Sequence, residues 1–251
     1  MERSTKERIL FMKYIAVDIE TSGLSPIKDK IIEIGASLYV DGEVQKTFSS
    51  LVKPQLASLP ERITELTGIT EEMLADAPLE SEVMQQFLEF AGEEDIPLLG
   101  HNVLFDYSFL KVAAGRLGRE FGRNGFDTLR LARLCHPELP SKTLAAMCEY
   151  YHIENEHAHR AYEDAIAAAE LFEKLKSEFL EKYPKEFESE TLIYKEKKQE
   201  PITPKQVRFL KAIIEYHHLE LTPDYESMTK SEASRLVDTL LAKHGRIPYV
   251  R

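Results

Sequence analysis

The chain has 251 residues, 43% of them hydrophobic and 30% charged, with a formal charge of −11. That length supports one sizeable core plus a small appendage, and the negative balance argues against nonspecific polyanion binding over the whole surface, because phosphate affinity comes largely from Lys and Arg. No apolar run approaches the ~20 residues of a membrane span, and Met1–Lys13 carries only the short ILFM cluster with no small-residue cleavage site after it. Cys135 and Cys148 belong to no C-x-x-C pair, so the expectation is a cytoplasmic protein with buried, inert thiols and neither a disulfide framework nor a zinc cage.

Tyr14–Leu24 reads YIAVDIETSGL. Its Ile and Val content suits a buried strand, and alternation puts Asp18 and Glu20 on one face with Val17 and Ile19 on the other. Two acids sharing one spot at the end of a buried strand cost several kcal/mol unless a cation offsets them, which points to a divalent metal site; the rival is an edge strand with wet acids. Turn chemistry follows in Thr21–Pro26, then a second apolar strand in Lys30–Val40, a hairpin at Asp41-Gly42 and a third strand in Val44–Val52. The opening is an antiparallel meander. Pro60–Gly68 and Thr70–Ala77 read as short helical pieces, and Glu80–Phe90 spaces Val83, Phe87 and Phe90 as on a helix. Within it Gln85–Phe90 (QQFLEF) has two readings, an amphipathic core helix and a sliding-clamp peptide.

Ile96–Gly100 is a brief apolar strand, and His101–Asp106 (HNVLFD) leads into a helix through about Leu117. A third acid, Asp106, therefore lies at a strand-to-helix junction, where sites gather in open α/β sheets. Between Lys111 and Arg133 the basic residues Lys111, Arg116, Arg119, Arg123, Arg130 and Arg133 outnumber Glu120 and Asp127; this is either a track for a phosphate backbone or a solvated face. Phe126–Pro137 and Thr143–Ile153 supply further helical pattern, and an alanine-rich helix runs to about Leu180. If that helix starts near Arg160, Asp164 sits just over one turn in and His159 occupies the preceding loop, a geometry suited to a metal ligand with a base beside it.

Residues 181–202 are dominated by Lys and Glu and read as an exposed linker or frayed helical extension. Residues 203–251 read as a small helical module: Thr203-Pro204 caps one helix, Thr229-Lys230-Ser231-Glu232 is a capping box for a second, and Gly245 ends it. The main domain is residues 1–180.

These residues resemble the DEDD exonucleases, which cut from the 3′ end and have a ribonuclease H-like fold. In particular residues 13–180 resemble the proofreading epsilon-type subunit of bacterial DNA polymerases in its histidine-bearing subclass. DIETSGL carries the first motif at Asp18, Glu20 and Thr21; HNVLFD the second at His101, Asn102, Phe105 and Asp106; HRAYED the third at His159, Ala161 and Asp164. ELTGIT at Glu65–Thr70 and DTLRLARL at Asp127–Leu134 are similar to intervening segments of the family. Ser22 departs from a threonine common there, and the family spacing selects His159 over its neighbour His157.

The resemblance implies an α/β protein with a mixed sheet, and a phosphodiester hydrolase working with two Mg²⁺ or Mn²⁺ ions. It implies that Asp18 bridges both ions, Glu20 and Asp164 complete the site that activates water, Asp106 supports the second ion through water, and His159 takes the water's proton. The substrate expected is a single-stranded or frayed 3′ end of DNA, in proofreading or repair, with a polymerase partner in trans; RNA, or strand-end binding without cutting, are the alternatives. Thr21, Gly23, Leu24, His101, Asn102 and Phe105 are the candidates to contact substrate, Leu24 and Phe105 by stacking or wedging at bases, with core packing the alternative for Phe105.

Overall fold

A computed structural model of the chain describes residues 12–92, 95–155, 159–195 and 200–248. It divides into two compact units, residues 1–194 and 195–251. Among the described residues no helix is long and apolar enough to cross a membrane.

The first unit is built on one six-stranded sheet, β1 (Lys13–Thr21), β2 (Ile31–Val40), β3 (Glu43–Leu51), β4 (Leu98–Gly100), β5 (Asn124–Asp127) and β6 (Glu190–Thr191), in the order β3-β2-β1-β4-β5-β6. β1, β2 and β3 form the expected antiparallel meander, closed between β2 and β3 by Asp41 and Gly42, both at positive φ as a two-residue hairpin requires. β4 and β5 add in parallel beside β1, and β6 closes the edge antiparallel to β5. The helices are α1 (Glu61–Thr67), α2 (Glu71–Ala75), α3 (Glu80–Ala91), α4 (Val103–Arg116), α5 (Thr128–Cys135), α6 (Leu144–Tyr151) and α7 (Ala161–Phe179).

Alternation along β1 sorts its side chains between two cores. Ile15, Val17 and Ile19 join Phe87 of α3 and Tyr107 and Leu110 of α4 on one face. Tyr14 and Ala16 join Phe126, Leu131, Met147 and Phe172 on the other, under α5, α6 and α7. α7 lies close against the sheet because its inner face is small: Ala161, Ala165, Ala168 and Ala169 are all buried. The tightest point is Gly35, opposite Asp18 in the β1–β2 register, where an added Cβ would fall 2.1 Å from Tyr162 N.

Three sequence readings change. Phe126–Pro137 is not wholly helical: β5 precedes α5, and a four-residue strand is too short to announce its period. Part of the expected linker folds back, since residues 184–187 form a 3-10 turn that buries Phe187 in the core and β6 pairs with β5. Gln85–Phe90 is a core helix segment, because Phe87 is fully buried and Phe90 packs beside it, which leaves no free clamp peptide.

The second unit pairs α8 (Pro204–Tyr216) with α9 (Lys230–His244) around Leu210, Ile213, Ala233 and Leu240. Both helices open with capping boxes, at Thr203/Gln206 and Thr229/Glu232. Pro201 bridges Thr229 at their N-terminal ends, and the rings of His217 and His244 meet at their C-terminal ends, so the two helices run in the same direction.

Replacing Gly35 by Ala forces α7 off the sheet beside Asp18. Overpacking of this kind costs ~1–3 kcal/mol, and for a unit of this size the melting temperature should fall by about 2–12 °C; an unchanged melting curve would contradict the close approach.

Candidate active site

The acidic side chains gather at one end of the sheet. Asp18 and Glu20 project from the C-terminal end of β1, Asp106 from the first turn of α4 directly after β4, and Asp164 from the first turn of α7. Asp106 is 3% exposed and its Oδ1 accepts a hydrogen bond from the Ile19 amide at 3.1 Å, which ties α4 to the strand between the two β1 acids. Asp164 is also buried; its Oδ1 accepts from Asn155 Nδ2 at 2.7 Å and its Oδ2 from the His159 amide at 3.0 Å. Glu20, His159 and Asp164 each offer a ligand atom, and these lie within 4.8 Å of one another. His159 is exposed at φ 70°, in the loop before α7. His157, the neighbouring histidine, lies outside the described residues.

Crowding is visible in the acidities. Burial, then the charges of Asp106, Glu20 and Asp164, push the Asp18 carboxyl well above the usual range. Glu20 is raised to about 8 by burial and by Asp164, Glu33 and Asp106, with Arg160 opposing. Asp106 is raised to about 8 by burial, against the hydrogen bonds its carboxylate accepts. Oxygen donors packed this closely fit a hard divalent cation, which would favour the ionised forms that the bare site disfavours.

Three residues not singled out from sequence complete the arrangement. Glu33 on β2 is 1% exposed and pairs directly across from Glu20. Like charges so placed repel, and Arg160 offsets them: its Nη2 donates to Glu33 Oε1 at 2.7 Å and its Nε to both Glu33 oxygens at 3.2 Å. Glu33 Oε2 also accepts from the Ala161 amide at 3.1 Å, so one buried carboxylate fastens the start of α7 to the sheet. An acid inside the apolar run KIIEIGASLYV was the available signal. Asn155, the third, had none.

The expected substrate residues divide. Leu24 is 62% exposed, in the loop after β1, where the buried Thr21 hydroxyl donates to Gly23 O at 2.6 Å. Gly23 packs against the Asp29 carboxyl, where an added Cβ would sit 2.4 Å from Asp29 Cγ, so its role is to shape that loop. Asn102 is exposed at φ 76°, with its backbone amide held by Asp127 Oδ1. Phe105 is half-buried and packs on Phe109, giving it a core contact as well as an accessible edge. His101 is corrected: its Nδ1 meets Thr128 Oγ1 at 3.0 Å and its Nε2 the Lys142 carbonyl at 2.8 Å, so neither ring nitrogen is left for substrate. Burial lowers its pKa, in keeping with a neutral ring donating through Nε2 to Lys142 O. Cys135 and Cys148 are free and buried, and burial pushes both thiols up to about 11.

The basic excess between Lys111 and Arg133 is largely tied up inside the unit. Arg116 binds Glu80 at 2.8 Å, Arg130 binds Glu190 at 2.7 Å and Glu186 at 3.3 Å, and Arg123 donates to Gly92 O. These three are held by partners within the unit, which weakens the reading of this stretch as a phosphate track.

Comparison with known proteins identifies the family. The RNase_T family model, described as Exonuclease, matches residues 15–172. DNA polymerase III PolC-type of Caldanaerobacter subterraneus subsp. tengcongensis is 43% identical over 163 residues, 65% of this chain but 11% of that protein. DNA polymerase III subunit epsilon of Aquifex aeolicus is 35% identical over 179 residues, 71% of this chain and 87% of that one. Escherichia coli Exonuclease I, solved with a dT13 oligonucleotide, shares the fold with a TM-score of 0.64 at 20% identity, over 69% of this chain and 43% of that chain. The chain thus spans about a ninth of the PolC-type relative, and a family match over more than half of its own length makes it a member of the DEDD-type 3′-to-5′ exonucleases, of the DNA polymerase III epsilon kind.

Proposed function

We propose that the chain is a divalent-metal-dependent exonuclease that removes mononucleotides from the 3′ end of single-stranded or frayed DNA, in proofreading or repair. The observation that carries this reading is the convergence of Glu20, His159 and Asp164, with Asp18 and Asp106 at the same end of the sheet. DNA is favoured by the polymerase III names of the relatives and by the oligonucleotide in the Exonuclease I structure.

Asp18, Glu20, Asp106 and Asp164 are the residues to hold Mg²⁺ or Mn²⁺. Such ions, when bound, lower the pKa of a coordinated water and neutralise charge developing on the phosphate and the leaving 3′ oxygen. His159, exposed and within reach of the Glu20 and Asp164 carboxylates, accepts the proton from the attacking water and returns it to solvent. Leu24 and the free edge of Phe105 separate the terminal base from its neighbour, and Asn102 orients the sugar-phosphate. A polymerase acting in trans is the partner that a proofreading role requires.

Two predictions follow from these roles. With a labelled 3′-terminal DNA strand and Mg²⁺, Asp164→Asn should abolish mononucleotide release, while His159→Gln should lower turnover by ~10²–10⁴ and retain Mn²⁺ binding; near-normal turnover by Asp164→Asn would refute the ligand assignment. Because the folded-state pKa values of Glu20 and Asp106 lie above their unfolded values, at about 8, these groups favour the fold below about pH 4 and lose that contribution as pH rises through about 8. In EDTA the protein should therefore be penalised toward pH 8.5, and Mg²⁺ should restore most there: ~2.7 kcal/mol at a hundred times its Kd, or about 5–10 °C in melting temperature, with little effect at pH 5. An equal Mg²⁺ shift at both pH values would contradict the account.

A further inference from the structure

The two units carry opposite charge. Residues 1–194 hold 21 Lys and Arg against 35 Asp and Glu, whereas residues 195–251 hold 11 against 8. A substrate strand is a polyanion, so the exonuclease unit repels it beyond the immediate site, over a Debye length of ~10 Å at 0.1 M salt. Of the basic residues that might offset this repulsion in the first unit, Arg116 and Arg130 are paired with acids and Arg123 is bound to a backbone carbonyl.

α8 presents the opposite case. Lys205, Arg208 and Lys211 recur every three residues, all exposed, on the side away from the buried Leu210 and Ile213. Among the described residues none of the three has an acidic partner; Lys211 Nζ lies 5.4 Å from the Tyr225 ring centroid. Glu215 is the single acid of the helix, and Tyr216, 55% exposed, ends it. Three cations along ~9 Å of a helix axis, fixed by a capped helix with its own core, match the repeated charge of a polynucleotide backbone. The exposed aromatic ring adds a surface on which a base can stack. A partner protein docking through apolar contacts would need an exposed hydrophobic face, and this row is cationic.

We propose that the C-terminal unit is a strand-holding module, in which Lys205, Arg208 and Lys211 grip the phosphodiester backbone of the nucleic acid whose 3′ end the first unit trims. The proposal rests on the exonuclease reading. Holding the strand by a second contact on the same chain raises its effective concentration at the active site without adding any contact there.

The test uses the full chain. Lys205→Gln, Arg208→Gln and Lys211→Gln are combined in one variant. Lys46→Gln, Lys174→Gln and Lys185→Gln, all exposed in the first unit, form a control with the same change in net charge. Binding of dT30 and rU30 is measured in EDTA across a salt series, and hydrolysis of a trinucleotide with Mg²⁺ is measured separately. The α8 variant should bind on the order of tenfold more weakly at 100 mM salt, with a log–log salt slope shallower by about 2, while the control binds as wild type and both cut the trinucleotide at the wild-type rate. Loss on either strand supports the proposal, and loss on dT30 alone names DNA as the strand held. Wild-type affinity and slope in the α8 variant, or an equal loss in the control, overturns it. Failure of the wild-type chain to cut the trinucleotide would instead sink the exonuclease reading and leave the binding result to stand by itself.

Discussion

The structure depends on one ion pair, the buried Glu33 with the partly exposed Arg160. Four acidic side chains from β1, α4 and α7 repel one another, and nothing in their own chemistry holds α7 near the strands. Glu33 does so by taking both the Arg160 guanidinium and the first amide of α7, while Gly35 and the alanine face of the helix remove the bulk that would keep it away. Removing one member of such a pair leaves a buried charge without compensation, typically at several kcal/mol. The same contact puts a positive charge beside Glu20, where Arg160 works against the upward push on that carboxyl. Structure and chemistry thus meet in a single side chain that is itself no candidate ligand.

Most of the site was legible because its parts are local. Alternation along Tyr14–Leu24 gave the shared face of Asp18 and Glu20, and strand-to-helix punctuation located Asp106. The five-residue spacing gave His159 beside Asp164. The meander, too, could be read from period and turn residues. What escaped was non-local or too short. β5 and β6 have four and two residues and exist only through their pairing, so no period marks them. Glu33 and Arg160 are 127 positions apart, and Asn155 acts through a side chain whose role depends on where α7 begins. His101 was read as a substrate contact because it stands in a motif, but Thr128 and Lys142, which occupy its nitrogens, come from elsewhere in the chain.

Charge shows the same limit in a different form. A count of Lys and Arg between Lys111 and Arg133 suggested a phosphate track, yet pairing partners such as Glu80 and Glu190 are distant in sequence and weaken it. The short row on α8 is masked by the overall charge of −11. Only division into two units makes the partition plain, with the acidic unit carrying the clustered carboxylates and the second unit carrying the exposed row Lys205, Arg208 and Lys211.

The central claim is that this end of the sheet is a cation site assembled by the docking of α7. Anomalous diffraction from crystals soaked in Mn²⁺ tests it most directly. The account places manganese density between Asp18, Glu20 and Asp164, with Asp106 facing it. Density only at other acidic surfaces, or none between these carboxylates at saturating Mn²⁺ and pH above 8, would contradict it.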